Sequence, residues 1–283
     1  MEHVVDEPII LIDYLMLKLG KTHKQAKSLL TNGQVVVNDK VETRYNKPLL
    51  PGVVVKINNF NTKNMDSRVE IIYEDKDIIV VNKPSNMLTV ATSSEKENTL
   101  YHLVGEYLKK KNKSAKVFIV HRLDRETSGI VLFAKSEKVK ELFQKSWDTV
   151  AKERLYIAVV NGHLEKKYGK VVQYLVEKDE YKVFAGKKGP DSKEAITLYK
   201  VVKEGSKYST IDIEIKTGRK NQIRVAMSSL GNPILGDKKY GCKEKIKNMY
   251  LLAYKLVINN PIIKKEQTFK INIPDQYYDI TKK

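Results

Sequence analysis

The sequence predicts an α+β protein, with a small N-terminal α/β domain followed by a larger domain on a largely antiparallel, mixed β-sheet. Helical patterns followed by short strand-like segments fill the first part of the chain, and a polar stretch without periodicity then interrupts it. Beyond that stretch, segments of β-type composition dominate and few helices lie between them, which favours antiparallel over doubly wound parallel strands. We therefore predict domains over residues 1–60 and 69–283, joined by a linker over 61–68.

The N-terminal domain is predicted to hold two helices and a small sheet. Leucine spacing across residues 9–30 indicates two helices broken at Gly20, and Asn-Gly, Asn-Asp and Pro-Gly turns punctuate the strands that follow. The second helix carries Lys21, Lys24 and Lys27, which three-residue spacing places near one face. Such a face could contact phosphates.

The larger domain is predicted to begin with two strands. The second strand ends at Lys83, and a polar loop follows it. Hydrophobic spacing predicts helices over Thr99–Lys111, 137–149 and Gln222–Leu230. Six further segments have the composition of strands, with the sequences RLYIAVVNG, VVQYLV, YKVFA, EAITLYKVV, STIDIEIK and LLAYKLVI.

The charge of the chain makes a polyanion the first partner to consider. The sequence has 52 basic and 34 acidic side chains, which give a formal net charge of +18. Nucleic acid is therefore the first candidate partner, and an acidic membrane surface is the second. The apolar run near the N-terminus is broken by Asp13, and no stretch approaches the ~20 apolar residues of a membrane span. The single cysteine, Cys242, excludes an internal disulfide. We expect a soluble, cytoplasmic protein without membrane association.

Arginine is used far more locally than lysine. The chain has only seven arginines, and four of them fall in two short stretches, at Arg122 and Arg125 and at Arg219 and Arg224. The flat guanidinium group binds carboxylates and phosphates through two parallel hydrogen bonds, which lysine cannot do. These two stretches are therefore the candidate sites for chemistry.

The first stretch, HRLDRETSG, connects two apolar strand segments and carries Asp124. Such a connection emerges at the rim of a sheet, where a side chain is held yet can be reached. Gly129 allows the chain to turn back, and Thr127 can bond local backbone groups. Taken alone, the segment favours a structural ion pair between Asp124 and Arg122 or Arg125 over an active site.

Four segments in a fixed order resemble the RluA family of RNA pseudouridine synthases. HRLDRETSGIVLFAK and TGRKNQIR, the latter continuing to GNPILGDKKYG, are similar to the signature segments of that family. VVNKPSNMLTV and KERLYIAVVNG are similar to its two other recurrent segments. The N-terminal segments THKQAKSLLTNGQVVVNDK and PGVVVKI, within residues 9–58, resemble the S4 RNA-binding domain. The resemblance thus covers most of the chain.

This resemblance implies the pseudouridine synthase fold and isomerisation of uridine in RNA, with no cofactor and no metal. It leads us to expect ribosomal RNA, of the large subunit first, as the partner, with transfer RNA as the alternative target and a monomer as the active form. Five scattered histidines and one cysteine offer no obvious metal-binding cluster, which agrees with that expectation.

The resemblance also implies roles for three catalytic residues. Asp124 matches the catalytic aspartate, which must be ionised to act as a nucleophile or to assist elimination. Arg224 would pair with Asp124 and lower its carboxyl pKa, by typically about 1 to 3 units for such a contact. Tyr156 matches the tyrosine that stacks on uracil and is the candidate to handle the carbon-5 proton. Without the resemblance, Tyr156 would be read as an ordinary half-buried strand tyrosine.

Further residues are expected to contact RNA. Arg122 matches the arginine that occupies the space of a flipped base, where a guanidinium can stack on bases. The other expected contacts are Lys83, His121, Arg125, Thr127, Arg219 and Gln222, besides Lys21, Lys24 and Lys27 of the N-terminal domain.

The chain departs from the commonest family pattern at three positions. Many members read Arg-Thr-His-Gln-Ile-Arg-Val-His where this chain has Lys220, Asn221 and Ala226. We expect these departures to affect the choice of target rather than the reaction.

Two other classes of function compete with this interpretation. A ribosome-assembly factor could keep the fold and only bind RNA, but binding alone would not need Asp124, Tyr156 and Arg224 together. A nucleoside glycosidase should place two carboxylates on opposite sides of the bond that is cleaved. Glu126 lies too near Asp124 in the sequence to be a convincing opposite-face partner.

Overall fold

The protein was analysed as a computed structural model, which describes residues 2–31, 34–38, 40–57, 65–177 and 182–282. The predicted α+β class is confirmed, with a small N-terminal domain and a large mixed sheet. The predicted linker over 61–68 lies partly outside the described residues, and the domain boundaries remain a prediction.

The N-terminal domain packs two short helical segments on small sheets. The elements are β1 Glu2–Val4, β2 Ile9–Ile10, α1 Leu11–Asp13, α2 His23–Thr31, β3 Val35–Val37, β4 Lys40–Val41, β5 Pro48–Leu49 and β6 Val54–Ile57. Helix α1 continues as one π-helical turn, Tyr14–Lys18. The strands pair in the order β1-β6-β3-β4, with β2 and β5 as a separate pair.

A capping box fixes the start of helix α2. The Thr22 amide donates to Gln25 Oε1 (2.9 Å), and the Gln25 amide donates to Thr22 Oγ1 (3.3 Å). The helix therefore begins at His23, so Lys21 precedes it rather than lying on it, contrary to the prediction. Ala26 and Leu30 face the core, whereas Lys24 is exposed.

The larger domain forms one mixed sheet of eleven strands in the part of the chain that the structure describes. The strands are β7 Glu70–Glu74, β8 Ile78–Lys83, β9 Phe118–Ile119, β10 Ser128–Ala134, β11 Ala151–Asn161, β12 Tyr168–Glu177, β13 Val183–Gly186, β14 Lys193–Glu204, β15 Tyr208–Ile215, β16 Leu251–Asn260 and β17 Lys265–Lys270. Neighbouring strands are hydrogen-bonded in the order β13-β12-β14-β15-β11-β16-β10-β8-β7, while β9 pairs with β10 and β17 pairs with β16. The pairs are antiparallel except β10 with β16, which is parallel.

Helices cover both faces of this sheet. Strand residues alternate between two apolar cores, so that Val131 and Leu132 of β10 face opposite sides. Helices α3 and α6 pack into one core, and α4 and α7 into the other. The helices are α3 Leu100–Lys111, α4 Glu137–Gln144, α5 Trp147–Val150, α6 Gln222–Ser229 and α7 Gln276–Asp279. No helix in the described part of the chain has the length and apolar character that a membrane span requires.

The structure corrects the prediction of a continuous helix over 137–149. Helix α4 ends at Gln144 and α5 begins at Trp147, because Ser146 adopts a non-helical backbone with φ −141° and ψ 34°. This break places the single tryptophan of the chain beside the first arginine stretch.

Candidate active site

The segment that carries Asp124 is anchored where the two parallel strands meet. It lies between β9 and β10, and β10 then begins against β16, with Gly129 opposite Ala253. Gly129 has φ +119°, and a Cβ atom there would lie 2.2 Å from the Ala253 carbonyl oxygen. Only glycine permits this approach, so the start of β10 and the loop before it are fixed against β16.

Lys83 anchors the same loop from beneath. Its side chain is fully buried, and Nζ donates to the carbonyls of Pro84 (3.0 Å), Met87 (2.7 Å) and Arg125 (3.0 Å). Burial lowers the pKa of Lys83 to about 7, although the charges of Asp124 and Glu126 oppose the shift. The predicted RNA contact of Lys83 is therefore wrong, because a buried ammonium group cannot reach a phosphate.

The carboxylate of Asp124 lies in a partly buried, charged environment. Its side chain is 23% exposed, and Oδ2 lies 3.8 Å from Arg224 Nη1. Burial raises the pKa of Asp124, while Arg224, Arg122 and Lys239 oppose this and Glu126 adds to it. As expected, Arg224 favours the charged form of Asp124, but the loss of solvation outweighs this attraction, and the pKa of Asp124 lies above its usual value.

Arg224 has a different principal partner from the one that the sequence predicted. Its Nε and Nη2 each donate to the Asp237 carboxylate at 2.8 Å, and Nη1 donates to Glu126 Oε2 at 2.9 Å. Asp237 is 1% exposed, so this is a buried, bidentate ion pair. Burial opposes the charge, yet Asp237, Glu126 and Asp124 together raise the pKa of Arg224 above its ordinary value. The guanidinium is fixed beside Asp124 rather than bound to it.

Tyr156 lies on β11 and lines the same cavity as Asp124 and Arg224, which has a volume of about 660 Å³. Burial raises the pKa of Tyr156 to about 12, with Arg154 opposing the shift. Its hydroxyl therefore stays protonated at neutral pH, so it can donate a hydrogen bond while the ring offers a stacking face. Asp124, Tyr156 and Arg224 thus line one cavity, as the sequence prediction requires, and their catalytic roles stay predictions.

His121 braces the cavity wall as a neutral ring. Its Nε2 accepts from the Leu132 amide (3.0 Å), and the ring stacks on Trp147 with centroids 4.7 Å apart. Burial, with the charge of Arg154, lowers the pKa of His121 to about 3. The ring is therefore neutral near pH 7, and its expected contact with the RNA backbone stays a prediction. Arg154, which the sequence prediction missed, also lines the cavity and donates to the Lys216 carbonyl at 2.7 Å.

The remaining predicted RNA contacts fall into two groups. Arg122 and Arg125 are exposed, and Arg219 is half-buried with Nε donating to the Glu194 carbonyl. These three stay predictions. Gln222 is buried, lines the cavity and bonds Arg219 N, Thr217 Oγ1 and Ile196 O, and its RNA contact stays a prediction. Thr127 is buried too and lines the cavity, where only a base that enters the cavity could contact it.

Two lysine substitutions should separate anchoring from RNA binding. Lys83→Met leaves three carbonyls without their donor, so we expect the free energy of unfolding to fall by at least about 2 kcal/mol. Lys24→Met removes an exposed charge and should change that free energy by less than about 0.5 kcal/mol while weakening RNA binding. Urea unfolding and RNA titration measure both. Equal stability of the two variants would contradict the anchoring role.

Comparison with known proteins agrees with this geometry. A family model described as RNA pseudouridylate synthase matches residues 77–229, more than half of the chain, and a model of the S4 domain matches residues 6–63. The chain therefore belongs to the RNA pseudouridylate synthase family. The predicted enzyme class and the predicted S4 domain are both confirmed.

Individual relatives extend the match over most of the chain. An uncharacterized RNA pseudouridine synthase of Mycoplasma genitalium is 30% identical over 265 residues, which cover 89% of this chain and 84% of that protein. The ribosomal large subunit pseudouridine synthase D of Blochmanniella floridana is 31% identical and covers 81% and 75%. The structure of human RNA pseudouridylate synthase domain containing 4 has a TM-score of 0.62 at 22% identity, covers 74% of this chain and 90% of that one, and shows the shared fold.

Proposed function

We propose that this enzyme converts uridine to pseudouridine in the RNA of the large ribosomal subunit, acting as a cytoplasmic monomer with Asp124, Tyr156 and Arg224 as its catalytic residues. The assignment of the active site is supported chiefly by one observation, which is that these three side chains line the same cavity. The target is supported by relatives named ribosomal large subunit pseudouridine synthase D. A monomer is supported because a single chain supplies all three residues.

The chemistry first requires the uracil to leave the base stack, at a cost of a few kcal/mol. Exposed Arg122, at the cavity, is suited to fill the vacated space and to stack on the neighbouring bases. The displaced uracil then enters the cavity, where the ring of Tyr156 can stack on it. The cavity is partly open, and the Asp124 side chain within it is 23% exposed.

Asp124 must be ionised to attack the flipped nucleotide or to assist the departure of its base. The bond from ribose carbon-1 to nitrogen-1 breaks, the base turns, and a bond from carbon-1 to carbon-5 forms. Carbon-5 loses its proton and nitrogen-1 gains one, so the product is an isomer of the substrate. Arg224 stabilises the negative carboxylate before it reacts and when it is released again, because Asp237 and Glu126 hold its guanidinium in place.

The choice of RNA is tested by tritium release from RNA labelled at uracil carbon-5. We expect the purified enzyme to release tritium from large-subunit ribosomal RNA, and much less from small-subunit RNA or transfer RNA of the same cells. Release from transfer RNA alone would replace the proposed target by the transfer RNA alternative. No release from any RNA would contradict the proposed activity.

RNA binding should depend steeply on salt. The net charge of +18, the half-buried Lys21 and the exposed Lys24 and Lys27 imply several phosphate contacts. We expect affinity to fall at least about a hundredfold between about 50 and 200 mM salt. Replacing Lys21, Lys24 and Lys27 by glutamine should reduce the slope of log affinity against log salt by about 2. An unchanged slope would place the phosphate contacts elsewhere.

A further inference from the structure

Asn221 lies directly beside the carboxylate of Asp124. It precedes helix α6, is 5% exposed, and adopts a left-handed backbone with φ 54° and ψ 19°. Asparagine is one of the few residues that adopt this conformation readily. The backbone therefore favours asparagine here and directs its amide into the site.

The neighbours of the Asn221 amide determine its orientation. One end of the amide lies 2.7 Å from Asp124 Oδ2, and the other lies 2.9 Å from the Tyr240 hydroxyl and 3.3 Å from Lys239 Nζ. Only a nitrogen can donate to the carboxylate, so the oxygen accepts from Tyr240 and Lys239. The Tyr240 hydroxyl in turn accepts from the Val183 amide at 3.3 Å, which ties the group to strand β13.

We infer that Asn221 is a positioning residue, which fixes the orientation of the Asp124 carboxylate through this hydrogen bond. The inference rests on the proposed role of Asp124. Arg224 cannot serve in the same way, because its donors bind Asp237 and Glu126 and its nearest approach to Asp124 is 3.8 Å. Asn221 thus supplies the short contact and Arg224 supplies the charge.

The hydrogen bond also favours the ionised form of Asp124. A donor that bonds a carboxylate stabilises its charge, and burial at this site acts in the opposite direction. Removing the donor should therefore raise the pKa of Asp124 further. Activity that needs the ionised carboxylate would then be lost at a higher pH than in the wild-type enzyme when the pH is lowered.

The test uses Asn221→Gly in the full-length enzyme, with tritium release followed from about pH 5 to 9. Glycine keeps the positive φ, so the variant removes the side chain without straining the backbone. We expect kcat to fall about tenfold or more with the KM for RNA within about twofold of wild type, and the acidic limb of the rate profile to move to higher pH. Asn86→Gly is the matched control, because Asn86 also has a positive φ of 63° but is exposed. It should behave as wild type.

Two further variants keep the result decisive. Asn221→Asp preserves the shape but places a second carboxyl beside Asp124, so the acidic limb should move at least as far. Asn221→His tolerates the backbone and can donate, so it should recover part of kcat. A wild-type kcat and an unmoved acidic limb in both Asn221→Gly and Asn221→Asp, with Asp124→Asn inactive, would overturn the inference alone. Full activity of Asp124→Asn would overturn the proposed role of Asp124 and the inference with it.

Discussion

Replacing Asp124 by asparagine should reduce pseudouridine formation at least about a thousandfold. The substitution keeps the size of the side chain but removes its negative charge. The proposed mechanism needs the ionised carboxylate to attack the nucleotide or to assist the departure of its base. The Asp124 side chain lines the cavity and is 23% exposed. Single-turnover reactions, with nucleosides separated after digestion of the RNA, measure the loss.

RNA binding provides the control for Asp124→Asn. The exposed arginines and lysines that are expected to bind phosphates are unchanged, so the dissociation constant for RNA should stay within about threefold of wild type. Loss of binding together with activity would instead indicate that the substitution distorts the loop. Full activity with normal binding would contradict the nucleophile assignment.

Replacing Asp237 by asparagine should lower the free energy of unfolding by about 3–5 kcal/mol. The substitution leaves Arg224 buried without the carboxylate that binds two of its nitrogens. Activity should fall as well, because the guanidinium beside Asp124 is no longer held. Denaturant unfolding at neutral pH measures the change in stability.

Asp66→Asn is the matched control for Asp237→Asn. Asp66 also binds an arginine through two hydrogen bonds, from Arg68 Nε and Nη2 at 2.9 Å, but that pair is partly exposed. Because solvent screens such pairs, we expect a loss below about 1 kcal/mol. Equal losses in the two variants would show that burial of the Arg224–Asp237 pair has no special weight.

The grouping of Asp124, Tyr156 and Arg224 could be predicted from the sequence because the motifs that contain them are local. Asp124, Tyr156 and Arg224 each stand in a short segment at a strand or helix, and the sheet brings those segments to one cavity. The partner of Arg224 could not be predicted in the same way. Asp237 follows helix α6 after a turn, and nothing in the spacing shows that the chain returns to place this carboxylate against the guanidinium.

The burial of polar residues in the motif segments could not be predicted. Lys83 looked like an RNA contact because it stands in such a segment, yet it bonds backbone carbonyls inside the domain. Gln222 stands in another such segment and bonds the Ile196 carbonyl. His121 is likewise engaged inside the domain, where its Nε2 accepts a hydrogen bond from the Leu132 amide. A sequence shows the type of a polar residue but not its burial, and burial decides whether such a residue binds RNA or holds the loop that does the chemistry.

The most direct test of the proposed function is a pseudouridine map of ribosomal RNA from cells that lack this protein. We expect at least one pseudouridine of the large subunit to disappear, to return when the wild-type gene is restored, and to stay absent when Asp124→Asn is supplied instead. A map that is unchanged by the deletion, or restored equally by Asp124→Asn, would contradict the account.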